Sequence, residues 1–384
     1  MEFSLSSVQT ALLDNVKRFC AKHHDLSSRA SQLGSAEKLD LVCWKLFGDL
    51  GWLGASLPAD VEGSGGGAIE SAIILEEFGR HLVTEPYWSC AVFSGQLLDR
   101  CANARHRLEL LQPMIDGRLI ASVAHEEADS DGHLTHVGVR ACENRGGDGI
   151  VITGRKSLVI DGPHADVFIV SARTRGLVRD RHGISLFVVD RNAVGLRRTD
   201  YRTLDGRLAC DLEFGNVCVE DTALLGSRDS GADAIEFAID QATVGLCAEA
   251  VGIMDAVLWM TRDYLKLRRQ YGVSLSTLQA LQHRMSDMFV EVELSRSMLY
   301  RSLSALGEED PAARHLAVLA AKIHVCQSGK FVCRNGIQLH GGMGMVDSHM
   351  IGQYFKRLST IVGIVGGVEK QLSRFMELSM ADLR

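Results

Sequence analysis

The spacing of hydrophobic and polar positions changes twice along the chain, and the changes divide it into three. Through residue 118, apolar residues recur at helical spacing. "SSVQTALLDNVKRFCAKH" opens on serines suited to capping, and "AEKLDLVCWKLFGDLGWLG" and "AIESAIILEEFGRHLV" repeat the pattern. The Gly-rich "EGSGGG" separates the last two, and Pro86 and Pro113 mark further breaks. From 119 to 228 the period falls toward two. "GIVITG", "ADVFIVSAR", "ISLFVVD" and "CDLEFGNVCV" are β-branched or aromatic runs bounded by Gly, Asp and Asn, and they predict strands of a small antiparallel barrel or sandwich. From 229 to 384 helix returns. "ADAIEFAIDQATVGLCAEAVGIMDAVLWMTRDYLKLRRQ" contains no proline and predicts one helix of nearly forty residues. "STLQALQHRMSDMFVEVELSRSMLYRSL" and "PAARHLAVLAAKIHVCQSGKFVCRNGIQLHGG" supply at least two more. Such long helices need neighbours on several faces, so the expected ending is a four-helix-type bundle. The expected fold is α+β in three domains: helical 1–118, β 119–228, helical bundle 229–384.

Composition narrows the function. The chain has 384 residues, 46% of them hydrophobic, and a formal charge of −7, with no basic stripe to serve a nucleic-acid surface. Ten cysteines show neither a CxxC pair nor zinc-type spacing, and they read as buried free thiols in a reducing compartment. "MEFSLSSVQTALLD" lacks the basic start and apolar run of a signal peptide, and no run of 18 apolar residues predicts a membrane span. The expected location is the cytoplasm.

Two stretches exceed what packing requires. "RRQYGVSLSTLQALQ" places Arg268 and Arg269 at the end of the long helix. Basic residues there suit the helix dipole, but arginine's forked donors also suit a pyrophosphate. In "QLHGGMGM", Gly341, Gly342 and Gly344 either cap a helix or let backbone approach a flat ligand. In combination, R-x-Q-[FY]-G, a Gln seven residues after that Gly, and a later Q-x-x-G-G-x-G resemble the acyl-CoA dehydrogenase family. "DLGWLGASLPADVEGSGGG", "EEFGR" and "GRKSLVIDGPHADVFIVSAR" are similar to further segments of that family, so the resemblance covers nearly the whole chain.

The resemblance implies FAD as cofactor, an acyl-CoA thioester as substrate, and an electron-transfer flavoprotein or similar acceptor. It implies tetramers, in which the clamp residues hold the FAD of a neighbouring subunit. Here those residues are Arg268, Gln270, Tyr271, Gln279, Gln338, Gly341 and Gly342. It also implies a carboxylate that takes the α-proton while the β-hydrogen leaves as hydride to flavin N5, with hydrogen bonds to the thioester carbonyl stabilising the enolate. This sequence departs from the family at that point. The usual base position falls on Val365 in "TIVGIVGGVEKQL", and the alternative helix-borne position falls on Ala242. The tryptophan and threonine that commonly meet a subunit's own flavin fall on Leu158 and Ile160, and the loop beside them is "HEEADSD", residues 125–131. Gly367 and Glu369 complete the positions facing that flavin.

These departures predict one partner of a heteromeric dehydrogenase, similar to paired subunits acting on dicarboxylyl- or steroid-derived thioesters. "YFKRL" at 354–358 shares that resemblance. Two alternatives stay open. One is a self-sufficient enzyme using Glu249, an acid in the most apolar part of the long helix, where burial can raise a carboxylate's pKa, unless an arginine pairs with it. The other is a flavin- or acyl-CoA-binding scaffold. Glu126 and Glu127 are further acids, expected on a solvated loop. His125 is a candidate flavin contact, and His340 is expected to be a packing or hydrogen-bonding residue.

Overall fold

Serine at the start of the first amphipathic run does what its position predicts. Ser6 and Gln9 form a reciprocal capping box, and α1 (Ser7–His23) follows. The computed structural model describes residues 4–24, 39–130, 132–144 and 146–381. Residues 36–38 of the expected "AEKLD" helix start and Asp131 of "HEEADSD" lie outside the described residues. Asp40 caps α2 (Leu41–Asp49), and Gly67 begins α3 (Ala68–His81). A π-wound segment, Tyr87–Ser94, runs into α4 (Gly95–Cys101). Trp44, Phe47, Trp52, Phe78 and Tyr87 pack edge-on and tilted at the centre of this helical region.

The middle region is one eight-stranded sheet: β1 (Ala121–Ala124), β2 (Arg140–Glu143), β3 (Ile150–Ile160), β4 (Val167–Arg173), β5 (Ile184–Asp190), β6 (Leu196–Arg202), β7 (Leu208–Val219) and β8 (Leu224–Leu225). The order is β6-β7-β3-β2-β4-β5-β8, with β1 parallel to β4. The path does not close, so a sandwich forms rather than a barrel. β3 and β7 face β4 and β5 across a core that includes Ile152, Phe168, Phe187 and Phe214. β1, β2 and β6 were not legible in the sequence. The first two are four residues long, and β6 is a largely exposed, charged edge strand.

The long helix is α5 (Gly231–Leu267), 37 residues, and it packs against α3, α4 and the π-wound segment as well as later helices of the bundle. α6 (Gln279–Ala305), α7 (Pro311–His340), α8 (Met350–Gly363) and α9 (Val368–Ala381) complete the bundle. Two glycines fix how α5 meets α3. A Cβ on Gly79 would lie 2.1 Å from the Glu249 carbonyl oxygen, and one on Gly252 would lie 1.9 Å from that of Glu76. Only glycine allows this backbone-to-backbone approach. The segments Gly231–Leu267 and Pro311–Met345 are long and apolar enough to cross a membrane, but 78% and 61% of their apolar windows are buried inside the protein. The ten cysteines are free; seven are buried, Cys101 is half-buried, and Cys142 and Cys218 are exposed.

Candidate functional site

The two glycine-containing stretches meet at one end of α5. Arg268 ends the helix in extended conformation, and Ser274 Oγ donates to the Leu265 and Lys266 carbonyls that the helix leaves open. A two-residue hairpin joins β9 (Arg269–Gln270) to β10 (Val273–Ser274). Tyr271 and Gly272 form its tip with φ of 54° and 81°, the left-handed pair that tight hairpins require. The His340 ring stacks on Tyr264 at 4.4 Å, which brings the "QLHGG" end of α7 beside this hairpin. His340 Nδ1 also lies 2.8 Å from the Gly336 carbonyl oxygen, so this histidine packs and bonds as expected. Arg268, Gln270, Gln279, Gly341 and Gly342 are exposed, as is Gln338. None of the side chains of Arg268, Gln270, Gln279 or Gln338 makes a hydrogen bond among the described residues. Tyr271 is 89% exposed.

The other positions lie far away along the same helix. Ala242 precedes Arg268 by 26 residues, roughly 39 Å of helix at 1.5 Å per residue. Ala242 is fully buried, and its carbonyl accepts a 2.7 Å hydrogen bond from Trp88 Nε1. Val365 sits in the turn between α8 and α9 with φ 62°, a strained conformation for a β-branched residue; Gly366 follows at 82°. Gln371 Nε2 donates to the Val365 carbonyl at 2.6 Å and closes that turn. Leu158 is also left-handed, φ 51°, at a register shift in β3 that re-aims the strand. Val365, Leu158, Ile160, Ile239, His125 and Glu126 line one cavity of about 40 Å³. Gly367 faces open space, and Glu369 is exposed in the first turn of α9.

Glu249 follows the arginine-paired alternative, while Glu126 and Glu127 depart from the solvated loop expected of them. Glu249 is 1% exposed, yet its carboxylate is not raised. Burial pushes its pKa upward, but the charges of Arg357 and Arg207 outweigh this and hold it below the ordinary carboxylate value. Arg357 Nε and Nη2 donate to Glu249 at 2.7 and 2.6 Å, and its Nη1 donates to Asp205 at 2.9 Å. Arg207 Nη2 donates to Glu249 at 3.1 Å and also to the Val83 carbonyl. Glu249 is therefore a structural ion-pair member, which explains the buried arginine of "YFKRL".

Glu127 is not on a solvated loop either. It is buried, paired with Lys156 Nζ at 2.7 Å, and accepts from the Gly138 and Val139 amides. Glu126 is half-buried, and desolvation raises its pKa against the opposing effects of Ser130 and Lys156. His125 is buried 2.9 Å from Ser171 Oγ, and burial followed by the Lys156 charge lowers its pKa to about 3.

The sequence reading missed one group. Asp240 on α5 accepts from His315 Nδ1 at 2.7 Å and from Arg314 Nε at 3.0 Å, both from α7. Asp240 and His315 line a larger cavity of about 210 Å³ with Thr243, Val365, Gly366 and Lys370. The only signal was an acid in the apolar part of the long helix, with partners 74 and 75 residues away.

Models of the acyl-CoA dehydrogenase N-terminal, middle and C-terminal domains match residues 6–118, 123–221 and 229–374 in that order. The chain belongs to the acyl-CoA dehydrogenase family. It is 26% identical over 360 residues to a mitochondrial isovaleryl-CoA dehydrogenase of Pongo abelii, covering 92% of this chain and 84% of that one. It is also 26% identical over 354 residues to the probable acyl-CoA dehydrogenase YngJ of Bacillus subtilis, covering 91% and 92%. Among solved structures, the Tcur3481-Tcur3483 steroid dehydrogenase G363A variant superposes with TM-score 0.88 at 28% identity, covering 99% of both chains. Butyryl-CoA dehydrogenase from Megasphaera elsdenii superposes with TM-score 0.90 at 21% identity, covering 100% of both.

The family is a family of FAD-dependent oxidoreductases, and the two groups of positions differ in how their residues suit that cofactor. The exposed, unpaired donors of the hairpin and the α7 end fit a pyrophosphate and an adjoining ring system. The positions expected against the chain's own flavin do not fit an isoalloxazine. Their cavity is about 40 Å³, and Leu158 and Ile160 offer no side-chain hydrogen bond. Ser122 Oγ and Ser89 Oγ already donate to Ile160 O and Asp161 Oδ2. A Cβ on Gly132 would lie 3.3 Å from Lys370 and 4.0 Å from Gly366, so the two loops are already in contact.

Proposed function

We propose that this chain is the clamp-bearing subunit of a heteromeric, FAD-dependent acyl-CoA dehydrogenase. It lends Arg268, Gln270, Tyr271, Gln279, Gln338, Gly341 and Gly342 to a flavin seated on a related partner chain. The partner supplies the carboxylate that takes the α-proton, because Val365 and Ala242 cannot accept one. The observation that carries this reading is the distance of roughly 39 Å along α5 between the clamp and Ala242. One chain's clamp is thus remote from its own pocket end, and its open donors suit a ligand held by another subunit. FAD, when bound there, supplies the hydride acceptor; this chain's residues bind its charged part and orient it.

Three further points support the reading. Leu267, Tyr271, Met345 and Val346 surround the clamp with exposed apolar surface suited to subunit contact. The Tcur3481-Tcur3483 steroid enzyme and the ChsE4-ChsE5 complex of Mycobacterium tuberculosis are named as paired chains. The predominantly buried free thiols suit the cytoplasm. We place the substrate among bulky steroid- or fatty-acyl-CoA thioesters, the assembly as a tetramer of two chain types, and the electron acceptor as an electron-transfer flavoprotein or similar carrier.

The test is purification of the chain alone and after co-expression with a related dehydrogenase chain. The expected result is a flavin-poor single chain and a yellow complex carrying fewer flavins than chains. A single chain that is yellow and bleaches on adding an acyl-CoA overturns the proposal. One observation favours a second reading, a self-sufficient enzyme. An imidazole whose Nδ1 proton rests on a carboxylate accepts a proton at Nε2, and Asp240–His315 lines the cavity beside Val365. Turnover by the chain alone that His315→Gln abolishes would establish that alternative.

A further inference from the structure

His24, Cys43 and Glu85 come from three separate parts of the helical domain, converge, and line neither cavity described above. His24 caps the C-terminus of α1, its amide donating to the Cys20 carbonyl. Cys43 is in the first turn of α2, where Asp40 Oδ1 accepts from its amide at 3.0 Å. Glu85 lies between α3 and the π-wound segment. His24 Nε2 is 3.6 Å from Cys43 Sγ and 4.0 Å from Glu85 Oε2, and all three donor atoms lie within 4.8 Å of one another. We propose that these three side chains bind a zinc ion that fastens α1 and α2 to the segment after α3.

The sulfur–nitrogen distance matches tetrahedral coordination. Zinc–sulfur bonds of about 2.3 Å and zinc–nitrogen bonds of about 2.0 Å at tetrahedral angles place the two donors about 3.5–3.6 Å apart. The observed sulfur–nitrogen separation already has that value. The carboxylate needs to close by about 0.6 Å, within a small side-chain rotation, since two zinc-bound first-row donors sit about 3.4 Å apart.

Charge points the same way. Glu85 is 6% exposed, and among the described residues no lysine or arginine pairs with it. A buried carboxylate without a cation is costly, and a divalent ion removes the cost. Without the ion, burial and then the Glu85 and Asp40 charges keep the proton on Cys43, so binding zinc must displace it. A thiolate, an imidazole and a carboxylate together select zinc over calcium or magnesium, which take oxygen ligands. Among the described residues no fourth ligand atom joins the group, so water completes the set.

The test uses the full chain, purified without a polyhistidine tag. Elemental analysis is expected to find about one zinc per chain. Exchange for Co²⁺ is expected to give a thiolate-to-cobalt charge-transfer band, lost in Cys43→Ser and strongly reduced in Glu85→Gln. Zn²⁺ should raise the Tm of the stripped wild type and leave that of Glu85→Gln unchanged. If Cys43→Ser does not fold, zinc release from the wild type by a thiol-specific mercurial gives the same answer. A metal-free chain whose stripped form shows neither a Tm shift with Zn²⁺ nor a cobalt–thiolate band overturns the proposal. So does a band that persists in Cys43→Ser.

Discussion

The C-terminal end and the middle of α5 treat polar side chains in opposite ways. At the Arg268 end, Arg268, Gln270, Gln279 and Gln338 stand exposed without side-chain hydrogen bonds among the described residues. Near Glu249, Arg357, Arg207 and Asp205 are buried and ion-paired. The first arrangement leaves donors for a ligand, and the second spends them on joining the helical, β and bundle regions. A burial criterion alone would have singled out Glu249 as the functional acid. The partner list reverses that reading, because an ion-paired carboxylate held below its ordinary pKa is a poor proton acceptor.

Breaking the buried cluster should have the largest effect. Arg357→Ala leaves Glu249 and Asp205 without their main cation, and stability is expected to fall by about 3–5 kcal/mol in denaturant titration. FAD content in whatever complex still assembles should be unchanged per folded chain. Breaking the open end should do the reverse. Arg268→Ala removes a charged donor worth about 1.5–3 kcal/mol, so FAD binding to the assembled complex should weaken roughly ten- to a hundredfold, read by fluorescence. Stability of the chain alone should change by less than about 0.5 kcal/mol. Equal losses of stability in both variants would erase the contrast.

A third test concerns pH. His125 stays neutral in the folded chain down to about pH 3, whereas an unfolded chain protonates it below its ordinary 6.5. The unfolded state therefore binds more protons in that window, and stability is lost as pH falls through it. At pH 5 the loss is expected to be on the order of 1–2 kcal/mol. His125→Gln should flatten this part of the Tm–pH curve. Glu249 and Asp205, held below their ordinary values, add stability that disappears at more acidic pH as they protonate, below about 4.5 and 3.8. The smallest effect is at Val365. Asparagine tolerates the left-handed backbone better than valine, so Val365→Asn should raise stability by up to about 1 kcal/mol. No change in Tm would show that the turn carries little strain.

The periodic features were legible because they are local. Helical spacing located α1, α5, α6 and α7, and β-branched runs located β3, β4, β5 and β7. The residues of the proposed clamp could be named because they cluster in two short stretches, although the meeting of those stretches depends on the Tyr264–His340 stack. Groups assembled from distant segments were not legible. Asp240 finds His315 across 75 residues, Glu249 finds Arg357 across 108, and His24 meets Glu85 from another helix. Cysteine spacing was silent about Cys43 for the same reason, since spacing rules detect only ligands that share a loop or a turn. Val365 was visible as the wrong residue type for a base, but its left-handed backbone was not.

The unbroken length of α5 also gives the molecule a ruler with a phase. Each residue between Glu249 and Arg268 contributes about 1.5 Å of reach and 100° of rotation. Inserting one residue there would swing the arginine to another side of the bundle while both ends kept their local structure. The span therefore has a fixed phase as well as a fixed length, and its sequence can vary more readily than its residue count.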